Sequence, residues 1–259
     1  MGLDSTRVRL IGPPQADGEY VGLREDGSEE EIVHLHDYTR LYEVPGLYEH
    51  IVQELLGCRS PQVAAEALAR ALQRLAIDPA LVRMLDLGAG TGLVGELGRE
   101  LGIATVVGLD ALVAAREACL RDRPGVYHDY IVGDLADPRP ELLAELRRQR
   151  PGALVAAGAF GGTHVPATAL ATALALLPPG APVVFTIDER WTRTDGPGGF
   201  RTPLSRLLAS GELQLLERSR FLHRLTTGGE PVHYELFVAV RGPTIPAALA
   251  RRASGDARR

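Results

Sequence analysis

The sequence predicts an α/β fold with a mostly parallel, seven-stranded sheet covered by helices on both faces, and three observations carry that prediction. From Leu81 onward, short apolar runs alternate with helical stretches: VRMLDL, GLVGELGREL, ATVVGL, ALVAAREACLRD, YIVGDL, PELLAELRRQ, ALVAAG, PATALATALALL and PVVFTI. Strands in this βαβα order run parallel, and helices on both faces allow them to be continuously apolar. The first of these strands ends in a glycine-rich run, Asp86-Leu87-Gly88-Ala89-Gly90-Thr91-Gly92, that opens directly into a helical stretch. The next two strands each end on an acidic residue, Asp110 and Asp134.

Ahead of the alternating region, EYVGLRE and SEEEIVHLH flank Asp26-Gly27, a turn dipeptide favoured in hairpins, which predicts a β-hairpin from about Glu19 to His36. DYTRLYEVPGLYEHIVQELLG follows. A helix is then expected to about Leu75, with Ser60 as its cap and Pro61 at its first position. Its apolar residues Val63, Ala67, Leu68, Ala71, Leu72 and Leu75 recur at three- and four-residue spacing and form one buried stripe. At the other end ELQLLE, RFLHRL and VHYELFVAV are joined by the Gly228-Gly229 turn rather than a helix, so a terminal antiparallel pair is expected. RRASGDARR is polar and expected to fray. The chain thus reads as an N-terminal hairpin and helical lid (1–77), a sheet domain (78–242) and a tail (243–259).

A glycine-rich strand-to-helix turn lets backbone approach a ligand where side chains would clash, and it exposes helix N-terminal amides. Gly88, Gly90 and Gly92 therefore form a cofactor cradle. Glycine spacing alone leaves other nucleotide-binding Rossmann-like enzymes open. The acidic Asp86, however, precedes the first glycine of the G-x-G-x-G run by two, which favours S-adenosylmethionine over a nicotinamide cofactor. Asp110 stands where a carboxylate can accept from both ribose hydroxyls. Asp134 is suited to accept from an adenine amino group while Leu135 packs on the ring, so three strand ends converge on one crevice.

MLDLGAGTG, VVGLD and YIVGDL resemble motif I and its acidic followers in class I S-adenosylmethionine-dependent methyltransferases. That resemblance implies the Rossmann-like class I fold, with S-adenosylmethionine as cofactor. Gly88, Gly90 and Gly92 would line its methionine and ribose side, Asp110 with its neighbour Ala111 would hold the ribose, and Asp134 and Leu135 the adenine. Asp86 would orient the loop. GVYHDYIVGDL and AAGAFGGTHVPATALATALALLPPG are similar to the Williams-Beuren-syndrome type, over roughly residues 80–187. Gly162-Thr163 before His164 departs from that type, and the front hairpin lies outside it, so no substrate carries over.

Beyond the cradle, His164 just after the fourth strand is a candidate general base or a lining residue. Tyr38, Tyr42 and Tyr48 cluster before the first long helix, and aromatic faces attract a cationic sulfonium; Tyr42 is the candidate catalytic ring, with Tyr38 and Trp191 as candidate covers over the substrate. His34 and His36, two apart and next to Asp37, could begin a metal site but read better as a solvated hairpin face, and no metal is expected. No Asp/Asn-Pro-Pro-Tyr/Phe follows the fourth strand, no Pro-Cys nucleophile replaces it, and AAGAF offers no carboxylate for metal-dependent O-methylation. What remains is positioning of a nucleophile against an activated methyl group.

A formal charge of −5 argues against a nucleic-acid backbone as partner, and no run is long enough to predict a membrane span. All 28 cationic residues are arginine, so lysine chemistry is excluded. Cys58 and Cys119 are too few and too far apart for a disulfide framework. The N-terminus has no apolar signal-like region, and the cytoplasm is the expected compartment. The leading expectation is a methyltransferase acting on a small-molecule acceptor such as a natural product. Two alternatives share the cofactor site: a cyclase in which the cofactor's own amino group attacks its γ-carbon to give azetidine-2-carboxylate and methylthioadenosine, and a cofactor-binding regulatory partner without chemistry.

Overall fold

The computed structural model describes residues 6–15, 18–162 and 164–243. Three antiparallel strands come first, β1 (Thr6–Gln15), β2 (Gly18–Glu25) and β3 (Glu31–His34), in the order β1-β2-β3. The hairpin expected around Asp26-Gly27 is β2–β3, but the sheet gains a third strand, and β3 stops at His34, so His36 lies in the turn that follows. Asp37 then caps α1 (Tyr38–Glu43) by accepting from the Arg40 N–H at 3.2 Å. α2 (Leu47–Glu49) continues into a wider π-helical turn, His50–Leu55. These elements share a small core of Val21, Leu23, Val33, Leu41, Leu47 and Ile51.

α3 (Ser60–Arg74) leads to the main sheet. Ser60 is not its cap: Arg59 takes that position without a side-chain bond, because the Ser60 hydroxyl is engaged elsewhere. Of the expected stripe, Ala67, Leu68, Ala71 and Leu72 are buried with Ala64 joining them and Val63 packed beside them, whereas Leu75 is the half-buried C-cap. There follow β4 (Arg83–Leu87), α4 (Leu93–Glu100), β5 (Thr105–Asp110), α5 (Val113–Asp122), β6 (Asp129–Val132), α6 (Pro140–Gln149), β7 (Ala153–Phe160), α7 (Ala167–Leu174) and β8 (Pro182–Asp188). The short α8 (Glu189–Thr192), α9 (Arg201–Ala209), β9 (Leu213–Leu225) and β10 (Pro231–Arg241) complete the chain as described. ELQLLE and RFLHRL are thus one thirteen-residue strand rather than two runs. The expected polar tail from 244 onward lies outside the described residues.

The sheet order is β6-β5-β4-β7-β8-β10-β9, parallel except for β10, which runs antiparallel to both neighbours. The two-residue period of a strand divides its side chains between two cores. Leu85, Leu154, Phe185 and Phe237 meet the helices α6, α7 and α9 on one face, whereas Met84, Val155, Val184 and Leu236 meet α3 and α4 on the other. α3, expected as part of the lid, therefore packs against the sheet itself. Because β4, β5, β6 and β7 are parallel neighbours, their carboxyl ends open on the same edge, where ligands of doubly wound sheets bind. Among the described residues no helix is long and apolar enough to cross a membrane.

Candidate cofactor and acceptor site

At that edge lies a cavity of about 490 Å³, within the size range of small-molecule and cofactor sites. Its floor is the turn after β4. Gly88 and Gly90 take φ values of +76° and +52°, a region that costs side-chain-bearing residues energy, and both face the cavity. Gly92 serves a different purpose: a Cβ there would lie 2.8 Å from Cys119 Sγ and 3.3 Å from the Tyr127 ring, and Gly92 does not line the cavity. Tyr127 also fills the space over Gly95 and Gly108.

Asp110, at the tip of β5, pins this turn. One carboxylate oxygen accepts from the Gly90 N–H at 2.9 Å and the other from the Leu112 N–H at 3.0 Å. Burial raises its pKa above the usual carboxylate range, and the backbone donors counteract part of the rise. Ala111 and Leu112 continue the wall, and Asp134 and Leu135 enter from the end of β6. Asp134 accepts from the Ala136 N–H at 2.7 Å and is exposed, while Leu135 is buried. Asp86 lies apart from these. It is buried beneath the turn, accepts from the Tyr127 hydroxyl at 2.6 Å and does not line the cavity. Its second oxygen has no protein partner, and burial pushes its carboxyl up to about 7.

The cavity roof comes from the N-terminal segment. Tyr38 stacks on Tyr42 with ring centroids 6.0 Å apart, and Tyr48 meets Tyr42 edge-on at 5.1 Å. Tyr42 reaches so close to the cradle that a Cβ at Gly90 would lie 3.2 Å from its hydroxyl. His164, after β7, places Nδ1 3.3 Å from the Tyr38 hydroxyl and meets the His36 ring at 4.7 Å. Burial, reinforced by the positive charge of Arg224, lowers the His164 pKa, so its imidazole is neutral at physiological pH. Trp191 does not join this roof. It lies against the Gly161-Gly162 backbone, where a Cβ at Gly161 would be 2.8 Å from its ring. His34 and His36 are neighbours at 5.2 Å, but the described residues hold no group of three or more metal-ligating side chains.

Sequence reasoning missed the far wall, which the terminal hairpin supplies. His223 receives or gives a hydrogen bond with Ser60 Oγ at 2.7 Å and stacks on Tyr234 at 3.8 Å; burial drives its pKa down to about 3. Arg224 also faces the cavity, but Glu19 from β2 pairs with it, accepting at 3.0 Å through one oxygen, so its charge is compensated. RFLHRL and VHYEL both carry polar residues at the hairpin's turn end, the one sequence signal that pointed to this wall.

No family model matches the chain, and no curated protein does. Solved structures do. The N-methyltransferase NodS of Bradyrhizobium japonicum WM9, in complex with S-adenosylhomocysteine, superposes with a TM-score of 0.53 at 14% identity, covering 80% of this chain and 97% of that one. An RNA methyltransferase candidate from Pyrococcus horikoshii gives 0.51 at 17% identity, covering 71% and 87%. The chain has the Rossmann-like fold of class I S-adenosylmethionine-dependent methyltransferases, elaborated by an N-terminal three-stranded sheet and helices.

Proposed function

We propose that this chain is a methyltransferase that uses S-adenosylmethionine and acts on a small, uncharged acceptor. The observation that carries the reading is one continuous cavity joining the Gly88–Gly90 cradle, Asp110 and Asp134 to a neutral His164 under a tyrosine roof. The residues fit the cofactor: backbone without side chains where it must approach closely, and carboxylates at two adjacent strand ends for ribose hydroxyls and the adenine amino group. When bound, S-adenosylmethionine supplies a methyl group already activated by a sulfonium.

This chain's residues then have three tasks. Tyr38 and Tyr42, stacked on each other at 6.0 Å, cover this side of the cavity and bring aromatic rings near the place of a cation. With Nδ1–H donating to the Tyr38 oxygen, His164 keeps Nε2 free to take the proton released by an acceptor hydroxyl or amine. His223, Ser60 and Tyr234 give the acceptor end hydrogen-bonding capacity without net charge, since His223 is neutral and Arg224 is paired with Glu19. A formal charge of −5 and this enclosed wall disfavour an RNA acceptor, whatever the Pyrococcus protein acts on. The His164-Val165-Pro166 segment behind the Williams-Beuren-type resemblance lines the same cavity, which supports that resemblance without carrying a substrate over.

Calorimetric titration of the purified chain with S-adenosylmethionine should show one site. Asp110→Ala should weaken it by about 1–3 kcal/mol, because ribose hydroxyls in a partly desolvated site lose a charged acceptor. No heat from the wild type overturns the reading, and unchanged affinity in a folded Asp110→Ala removes Asp110 from the site.

A further inference from the structure

Three acidic side chains line the cavity among the described residues: Asp110, Asp134 and Glu49. The first two stand at strand ends suited to a nucleoside. Glu49 comes instead from the lid, at the end of α2, and sequence reasoning gave it no role. One of its oxygens accepts from the hydroxyl of Thr91, in the glycine turn, and from the Arg123 guanidinium at 2.7 Å. Arg123 also donates to Glu96 at 3.0 Å and to the Thr91 carbonyl at 3.2 Å. One guanidinium therefore faces two carboxylates. Glu96 is half exposed, its side chain 48% accessible, whereas Glu49 is 16% accessible and turned to the cavity.

The turn is thus gripped by two carboxylates at adjacent residues, Asp110 on the Gly90 N–H and Glu49 on the Thr91 hydroxyl. A cofactor that is a nucleoside at one end and an amino acid at the other brings an ammonium as well as hydroxyls. Asp86, the motif's own acidic residue, is sealed beneath the turn against Tyr127 and does not reach the cavity. We infer that Glu49 is the carboxylate that receives the ammonium of the cofactor's amino-acid end, so that the lid reads the cofactor as well as the acceptor. The inference rests on the methyltransferase reading and adds to it a residue that selects the intact amino-acid cofactor over its nucleoside fragment. Charge excess and geometry agree here. An incoming ammonium meets a carboxylate that is held by Thr91 and Arg123 and still has one oxygen to offer, and a charge-assisted bond of that kind is stronger than a neutral one.

The test compares two ligands on the full chain by calorimetry: S-adenosylhomocysteine, which carries the amino-acid end, and methylthioadenosine, which does not. Glu49→Gln should weaken S-adenosylhomocysteine by about 10- to 100-fold, the loss of one charge-assisted hydrogen bond, and leave methylthioadenosine within about twofold. Equal loss for both ligands would make Glu49 a lid latch only, and no loss for either would remove it from the site; both results overturn the assignment. Thr91→Val removes the latch but keeps the carboxylate, and it should retain the wild-type preference between the ligands. Should Thr91→Val abolish that preference as fully as Glu49→Gln does, the ammonium role is overturned. A wild-type chain that binds neither ligand defeats the cofactor reading, an outcome distinct from failure at Glu49.

Discussion

Gly90→Val is expected to lose at least about 100-fold in affinity for S-adenosylmethionine, roughly 3 kcal/mol or more. Three features converge on this residue. Its φ of +52° is strained for a β-branched side chain, a Cβ would lie 3.2 Å from the Tyr42 hydroxyl, and the methyl groups beyond it would enter the cavity. The backbone cannot easily move away, since the Gly90 N–H donates to Asp110 at 2.9 Å and its carbonyl accepts from the Tyr130 hydroxyl at 2.7 Å. Strain of about 1–3 kcal/mol should lower the melting temperature without abolishing a cooperative transition. Gly90→Ala, with no branches, should lose less affinity than Gly90→Val. Calorimetry beside thermal melting reads both quantities, and undiminished binding by a folded Gly90→Val would mean that the turn is not the cradle.

His164→Ala should lower kcat by about 10²- to 10⁴-fold, the usual contribution of a positioned general base, with little change in cofactor affinity. The pH profile separates this role from a packing role. Burial and the charge of Arg224 hold the His164 pKa below the ordinary histidine value of 6.5. The base is unprotonated, and active, above its own pKa, so the wild-type kcat should stay level as pH falls through 6.5 and decline only at lower pH. His164→Ala should lose both the rate and that acidic limb. A variant that keeps the limb, or keeps full rate with a hydroxyl acceptor, would show that another group takes the proton.

Much of the sheet was legible because parallel strands covered on both faces are continuously apolar, and because a glycine-rich turn with acidic strand ends has few other uses. The ends of those runs exposed Asp110, Asp134 and His164, and the segment before the first long helix exposed the tyrosine cluster; all of them converge on one cavity. What escaped was set by tertiary contacts. β1 contains Pro13 and Pro14, which conceal a strand whose Val8 and Leu10 pack on the N-terminal core. Ser60 had the composition of a cap, yet its partner is His223, 163 positions away. His223 and Arg224 reach the cavity through the pairing of β9 with β10, whose register shifts at Val232/His233, and a shift of one residue exchanges the faces of a strand. Asp86 and Gly92 matched the motif by position, but Tyr127 occupies the space beside both. Trp191 was a candidate cover, and the Gly161-Gly162 backbone takes its ring instead.

Methyl transfer to an acceptor is tested by incubating the purified chain with methyl-labelled S-adenosylmethionine, alone and then with a small-metabolite extract, and following products by mass spectrometry. Near silence is expected without acceptor, because the methyl group needs an external nucleophile held against it. With the extract, label is expected in a new small molecule together with an equal amount of S-adenosylhomocysteine. Acceptor-independent conversion to methylthioadenosine, above the level seen with Asp110→Ala, would overturn methyl transfer as the reaction.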